Sequence, residues 1–183
     1  MKQMADGGDK DAISAICSGD YSFNTEKYSI SEDEDSVIRS KTLCVYDRAL
    51  NGDNEAQLAV GFAFSDVSYQ NPPKVFKTDL SESFYWINKA ALNENTSAEC
   101  ALGYYLMKGM GCKRDYSKGL MWLRRTADKG NASAIYRLGV AYASGDGVIQ
   151  DWDKAVELYK EADLKGLRSA AFLLDCVLFT ERE

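Results

Sequence analysis

Small and apolar residues recur at helical spacing along the second half of the chain, and the pattern then repeats itself. Ala98, Ala101, Leu102, Gly103 and Leu106 share one face, and Ala134, Leu138, Gly139, Ala141 and Tyr142 build the same kind of face one unit later. Each stretch runs into Gly109-Met110-Gly111 or Gly145-Asp146-Gly147, then Asp115 or Asp151. A second amphipathic stretch follows, with Leu120, Leu123 and Ala127 in one unit and Val156, Tyr159 and Ala162 in the other. In register, Ala98, Gly103, Gly109, Gly111, Asp115, Lys118 and Gly130 match Ala134, Gly139, Gly145, Gly147, Asp151, Lys154 and Gly166 at a spacing of 36 residues. An eighth pair differs, setting Ala127 against Asp163. The spacing predicts helix A over about 98–108 and helix B over about 116–129, then the same pair within 134–166. A unit of this size cannot bury its own apolar face, so it stacks on its neighbours as a solenoid.

The glycines close helix A because they enter the left-handed region without a Cβ clash. The aspartates precede helix B, where a carboxylate accepts the first free amide hydrogens. One unit earlier, Asp79, Trp86 and Ala91 take the places of Asp115, Trp122 and Ala127, and an aromatic stripe of this kind reads as packing between helices. That earlier unit, with Ala56, Gly61 and Phe64, carries six extra residues in its turn, within 66–77, where Tyr69 and Phe76 flank Pro72-Pro73. Two roles are open for Tyr69 and Phe76: folding back onto the array or reaching a partner.

Upstream, Ala12, Ile13 and Ile16 read as a further helix A and residues 37–50 as its helix B. Between them stands the acidic run Glu32, Asp33, Glu34 and Asp35, read either as a solvated linker or as a lure for a basic patch. Ala170, Leu173, Leu174 and Val177 form a last apolar helix. The predicted fold is all-α, a single domain over 1–183: a divergent repeat at about 1–53, a repeat with a turn insertion at about 54–95, regular repeats at about 96–131 and 132–167, and a capping helix at about 168–181. Residues 5–12 align with 127–134, the junction between two repeats. Either the sequence is a trimmed or mature fragment, or it opens on a short irregular cap.

Composition narrows the chemistry. The 183 residues include no histidine, which removes His-based metal centres and Ser-His or Cys-His nucleophile pairs. Carboxylate and lysine chemistry remain, but no paired motif asks for them; Asp115 and Asp151 repeat at matching helix starts, whereas an active site gathers unlike residues at one point. The sequence therefore reads as noncatalytic, with no cofactor and no metal. A formal charge of −6 disfavours nucleic acid and anionic membrane and suits a basic protein partner. Cys17, Cys44, Cys100, Cys112 and Cys176 show no CxxC spacing. They are read as buried apolar residues, with a disulfide such as Cys17 to Cys44, or a reactive thiol, as the other readings. There is no transmembrane run and no signal peptide, so the expected state is soluble: cytoplasmic as given, periplasmic or secreted if a signal has been removed.

The residues of the two regular units resemble the Sel1-like repeat family, a relative of the tetratricopeptide repeats. The resemblance rests on Leu138-Gly139, Gly145-Asp146-Gly147, Asp151, Lys154-Ala155, Leu158-Tyr159 and Ala162 to Gly166, and on Leu102-Gly103, Gly109-Met110-Gly111, Asp115, Lys118 and Ala127 to Gly130, with Gly119 where alanine is usual. It is strong over 56–166. It implies a right-handed superhelix whose helix A side offers a concave protein-binding surface, and an adaptor or scaffold role in bacteria. The alternative it implies is an immunity or inhibitor protein that neutralises a secreted toxic effector. On this resemblance the contact candidates are Phe62 and Tyr104, at one equivalent position, with Lys108 and Arg137 adding positive charge; their other reading is packing against neighbouring helices.

Overall fold

The computed structural model describes residues 44–65 and 78–170, and every regular element among them is helical. The helices are α1 (Asn54–Phe64), α2 (Leu80–Leu92), α3 (Thr96–Lys108), α4 (Tyr116–Asp128), α5 (Ala132–Ser144) and α6 (Trp152–Leu164). Odd-numbered helices are the A helices and even-numbered ones the B helices. Residues 44–50 and 168–170 are also helical. No helix among the described residues is long and apolar enough to cross a membrane. The chain divides into two compact units, one ending at Trp86 and the other beginning at Ile87, within α2.

The repeat is written into the helix ends. Asp53, Asn95 and Asn131 cap the A helices by accepting from the amides of Ala56, Ala98 and Ala134 at 3.0, 2.9 and 3.0 Å. Asp115 and Asp151 cap α4 and α6 by accepting from Lys118 N and Lys154 N at 3.0 and 2.9 Å. These bonds satisfy amides that the first turn leaves without helical partners. The Ala56 amide and the Arg48 guanidinium hold the Asp53 carboxyl below its ordinary value, so this cap is strongest above that value and weakens as pH falls through the folded one. Gly109 and Gly145 end α3 and α5 at φ 71° and 73°, a conformation that costs other residues a Cβ clash.

One backbone bond closes each helix pair. Asp115 N donates to Leu106 O at 2.8 Å and Asp151 N to Tyr142 O at 2.9 Å. Asp79 N donates to Phe64 O at 2.9 Å, the equivalent bond, although the connection there is six residues longer. The closure is therefore indifferent to the insertion. Tyr69 and Phe76, and the acidic residues Glu32, Asp33, Glu34 and Asp35, lie outside the described residues.

Paired helices cross at a helix A glycine, Gly61, Gly103 or Gly139, joined in the second pair by Gly119. Ser83 Oγ donates to Gly61 O at 2.6 Å in the first unit. At the corresponding crossing in the second, a Cβ on Gly119 would come within 2.4 Å of Met107 Cγ and 2.9 Å of Gly103 O. In the last repeat Ala155 stands at this position and Ala143 replaces Met107. The departure from alanine at Gly119 is thus matched by a larger side chain opposite.

Around Trp86, 2 % exposed, gather Ala49, Ala56 and Val60, with the Tyr46 and Tyr85 rings edge-on at 5.6 and 5.3 Å. In the second unit Cys100, Met107, Leu120, Leu123, Ala134, Leu138 and Ala141 form a core shared by α3, α4 and α5. Ile135, Ala162 and Ala170 continue it. The helix B pattern needs one correction. Ala127 is only half-buried and Asp163 is exposed; the repeating core position is Ala90, Thr126 and Ala162, all 0 % exposed. Thr126 hid the match, because its hydroxyl is buried by donating to Trp122 O at 2.7 Å.

Candidate functional site

The side chains that α3 and α5 present to one another converge at Tyr104 and Arg137. The Arg137 guanidinium carbon lies 3.9 Å from the centroid of the Tyr104 ring, close enough for cation–π attraction. Tyr105 meets Tyr104 edge-on at 6.5 Å. Beneath the stack, burial pushes the Cys100 thiol up from its ordinary value, and the neighbouring Arg137 charge partly opposes that shift. A raised thiol pKa keeps Cys100 protonated, a packing group and not a nucleophile.

One turn beyond Tyr104, exposed Lys108 pairs with Asp146 at 3.5 Å, across to the Gly145-Asp146-Gly147 turn of the next repeat. Cys100, Tyr104 and Lys108 stand at successive i, i+4 positions on α3. Arg137 takes the place held by Ala59 and Ala101 in the two preceding repeats. A charged, planar side chain has thus entered where the scaffold needs only a small one. Phe62, in the unit ending at Trp86, is 40 % exposed on α1.

Of the residues expected from sequence, the structure brings Tyr104, Arg137 and Lys108 together and leaves Phe62 open to solvent. Sequence reasoning read Cys100 as a buried apolar residue, as it is, and missed Asp146. The signal for Asp146 was present: the middle residue of the Gly-x-Gly turn changes from Met110 to an acid that can reach the preceding repeat.

A family profile described as Sel1 repeat matches residues 54–95, 96–131 and 132–162, well over half of the chain. The chain belongs to the Sel1 repeat family. Among solved structures, a Sel1 repeat protein from Oxalobacter formigenes is 31% identical, with a TM-score of 0.57, over 67% of this chain and 88% of its own. A protective antigen present in uropathogenic Escherichia coli strains, displaying an SLR fold, is 23% identical with a TM-score of 0.64; the match covers 86% of this chain and 34% of the antigen, so this chain spans about a third of the antigen's length. The comparison with curated proteins gives no match. Sel1 repeat proteins generally act as protein–protein interaction scaffolds and are typically noncatalytic.

Proposed function

We propose that this Sel1 repeat chain is a noncatalytic scaffold that holds a partner protein on the face of its A helices, with Tyr104 and Arg137 as anchors and Lys108 beside them. The Tyr104–Arg137 stack carries the reading. Tyrosine and arginine dominate interface energetics, and two side chains that already hold each other lose less freedom when a partner arrives. Phe62, 40 % exposed in the unit that ends at Trp86, is a separate aromatic contact candidate. Both solved relatives named above are bacterial, which supports a bacterial source.

Cys100 and Cys112 are free thiols, and the periplasmic or secreted reading stands beside the cytoplasmic one.

Affinity capture with the purified chain and with a Tyr104→Ser/Arg137→Ala variant tests the anchors. We expect a partner retained by the parent chain and lost from the variant while the variant's circular dichroism and melting temperature stay close to the parent's. Equal retention by both folded proteins contradicts the reading.

A further inference from the structure

The repeat that carries α4 differs in charge from the rest of the chain, and the outward face of α4 itself carries Lys118, Arg124 and Arg125 against Asp128. Residues 96–131 hold seven lysines and arginines against three carboxylates, an excess of four positive charges in a chain whose formal charge is −6, which leaves −10 for the remainder. Glu99, one of the three acids, is buried between Lys129 and Arg125 and compensates part of their charge.

On α4 the inner positions Gly119, Leu120, Leu123 and Thr126 are buried. The opposite positions Ser117, Lys118, Met121, Arg124, Arg125 and Asp128 line a shallow groove. Met121 lies at its centre, 56 % exposed. Arg125 is held in place by Glu99 at 3.3 Å, by Glu94 at 3.9 Å and by the Trp122 ring at 5.3 Å. Arg124 is exposed and has no ion-pair partner among the described residues. The groove therefore joins an unpaired cation, a paired cation and an apolar centre.

From this juxtaposition we infer that the outward face of α4 is a second docking surface, for an acidic protein segment that carries an apolar residue for Met121. Charge complementarity picks the sign of the ligand, and the exposed methionine picks its class. A phosphate polymer gains from long runs of cations and has no use for an apolar centre. The face from Lys118 to Asp128 is only about 15 Å long at the α-helical rise. Asp115 and Asp128 stand near its ends, where they repel a polyanion that overruns it. A short acidic peptide meets neither obstacle. This surface shares no residue with the Tyr104–Arg137 stack, so either can fail without the other.

Fluorescence anisotropy on the full chain tests it, using a short labelled peptide that alternates glutamates with leucines. The same peptide with glutamine for glutamate and a labelled oligothymidylate serve as comparisons. The acidic peptide should bind, weaken as salt is raised, and lose about tenfold in affinity on Lys118→Glu/Arg124→Glu. Met121→Ser should also weaken it. Lys160→Glu, an exposed charge on α6, and Tyr104→Ser/Arg137→Ala should leave it unchanged. Binding that is absent at low salt, or indifferent to the charge reversal, overturns the inference. Equal binding of oligothymidylate through the same residues overturns it in favour of nucleic acid. Salt-dependent self-association of the parent chain, abolished by Lys118→Glu/Arg124→Glu, overturns it in favour of a second copy.

Discussion

Glu99 shows how one position of the repeat accepts different chemistry. It is 0 % exposed, and Lys129 Nζ reaches its two carboxylate oxygens at 2.9 and 2.7 Å. Gln57 occupies the equivalent site in the preceding repeat and donates to Ala49 O at 3.1 Å; Ile135 occupies it in the next, packed against Ala162 and Ala170. The site thus tolerates an apolar side chain, whereas a buried carboxylate does not tolerate losing its partners. Lys129→Ala leaves Glu99 with Arg125 alone, at 3.3 Å, and should cost about 1 to 3 kcal/mol, although Lys129 looks like a surface residue, while Glu99→Leu should stay within about 1 kcal/mol of the parent. Urea unfolding of both variants checks the order, and a larger loss for Glu99→Leu contradicts it. At the Trp86 site, loss of a buried ring should cost about 3 to 5 kcal/mol in Trp86→Ala. Sequence reading placed Trp86 in a core correctly, since a large aromatic at helical spacing has few other uses. It misplaced Ala127, because alanine fits both core and edge and a threonine with an internal hydroxyl bond does not look like core.

Helix ends were the most legible part of the fold. Asp115, Asp151, Gly109 and Gly145 perform local tasks that few residue types can do, so type and spacing suffice to recognise them. Asp151→Ala should cost about 0.5 to 2 kcal/mol, read as a lower melting temperature, by freeing the Lys154 amide. Gly119 was visible as a departure from alanine, but its reason was not, because Met107 lies opposite it on a different helix. Gly119→Ala alone should destabilise by about 1 to 3 kcal/mol through overpacking. Adding Met107→Ala should recover part of that loss, since Ala143 and Ala155 already form this pair in the last repeat. Non-additivity in a double-mutant cycle checks the coupling, and simple additivity contradicts it.

For the whole molecule, the helical-repeat architecture and the three repeats within 54–162 were readable because each restates the rule. The surface was less so. A net charge averages over the chain, and it pointed to a basic partner while concealing the opposite sign of α4. The Tyr104–Arg137 stack joins residues 33 positions apart, and only the packing of α3 on α5 brings them together. Thiol state belongs to this scale as well. Alkylation of the denatured, unreduced chain should label Cys100 and Cys112, as read by peptide mass spectrometry, and protection of either until reductant is added contradicts the free thiols.

The most direct test of the A-helix face places a photo-crosslinking amino acid at Lys108, beside the stack, and in a separate chain at Lys160 on α6. The account predicts a discrete protein adduct from position 108, lost when Tyr104→Ser and Arg137→Ala are added, and no such adduct from position 160. An adduct from position 160 alone, or one from 108 that survives loss of both anchors, contradicts it.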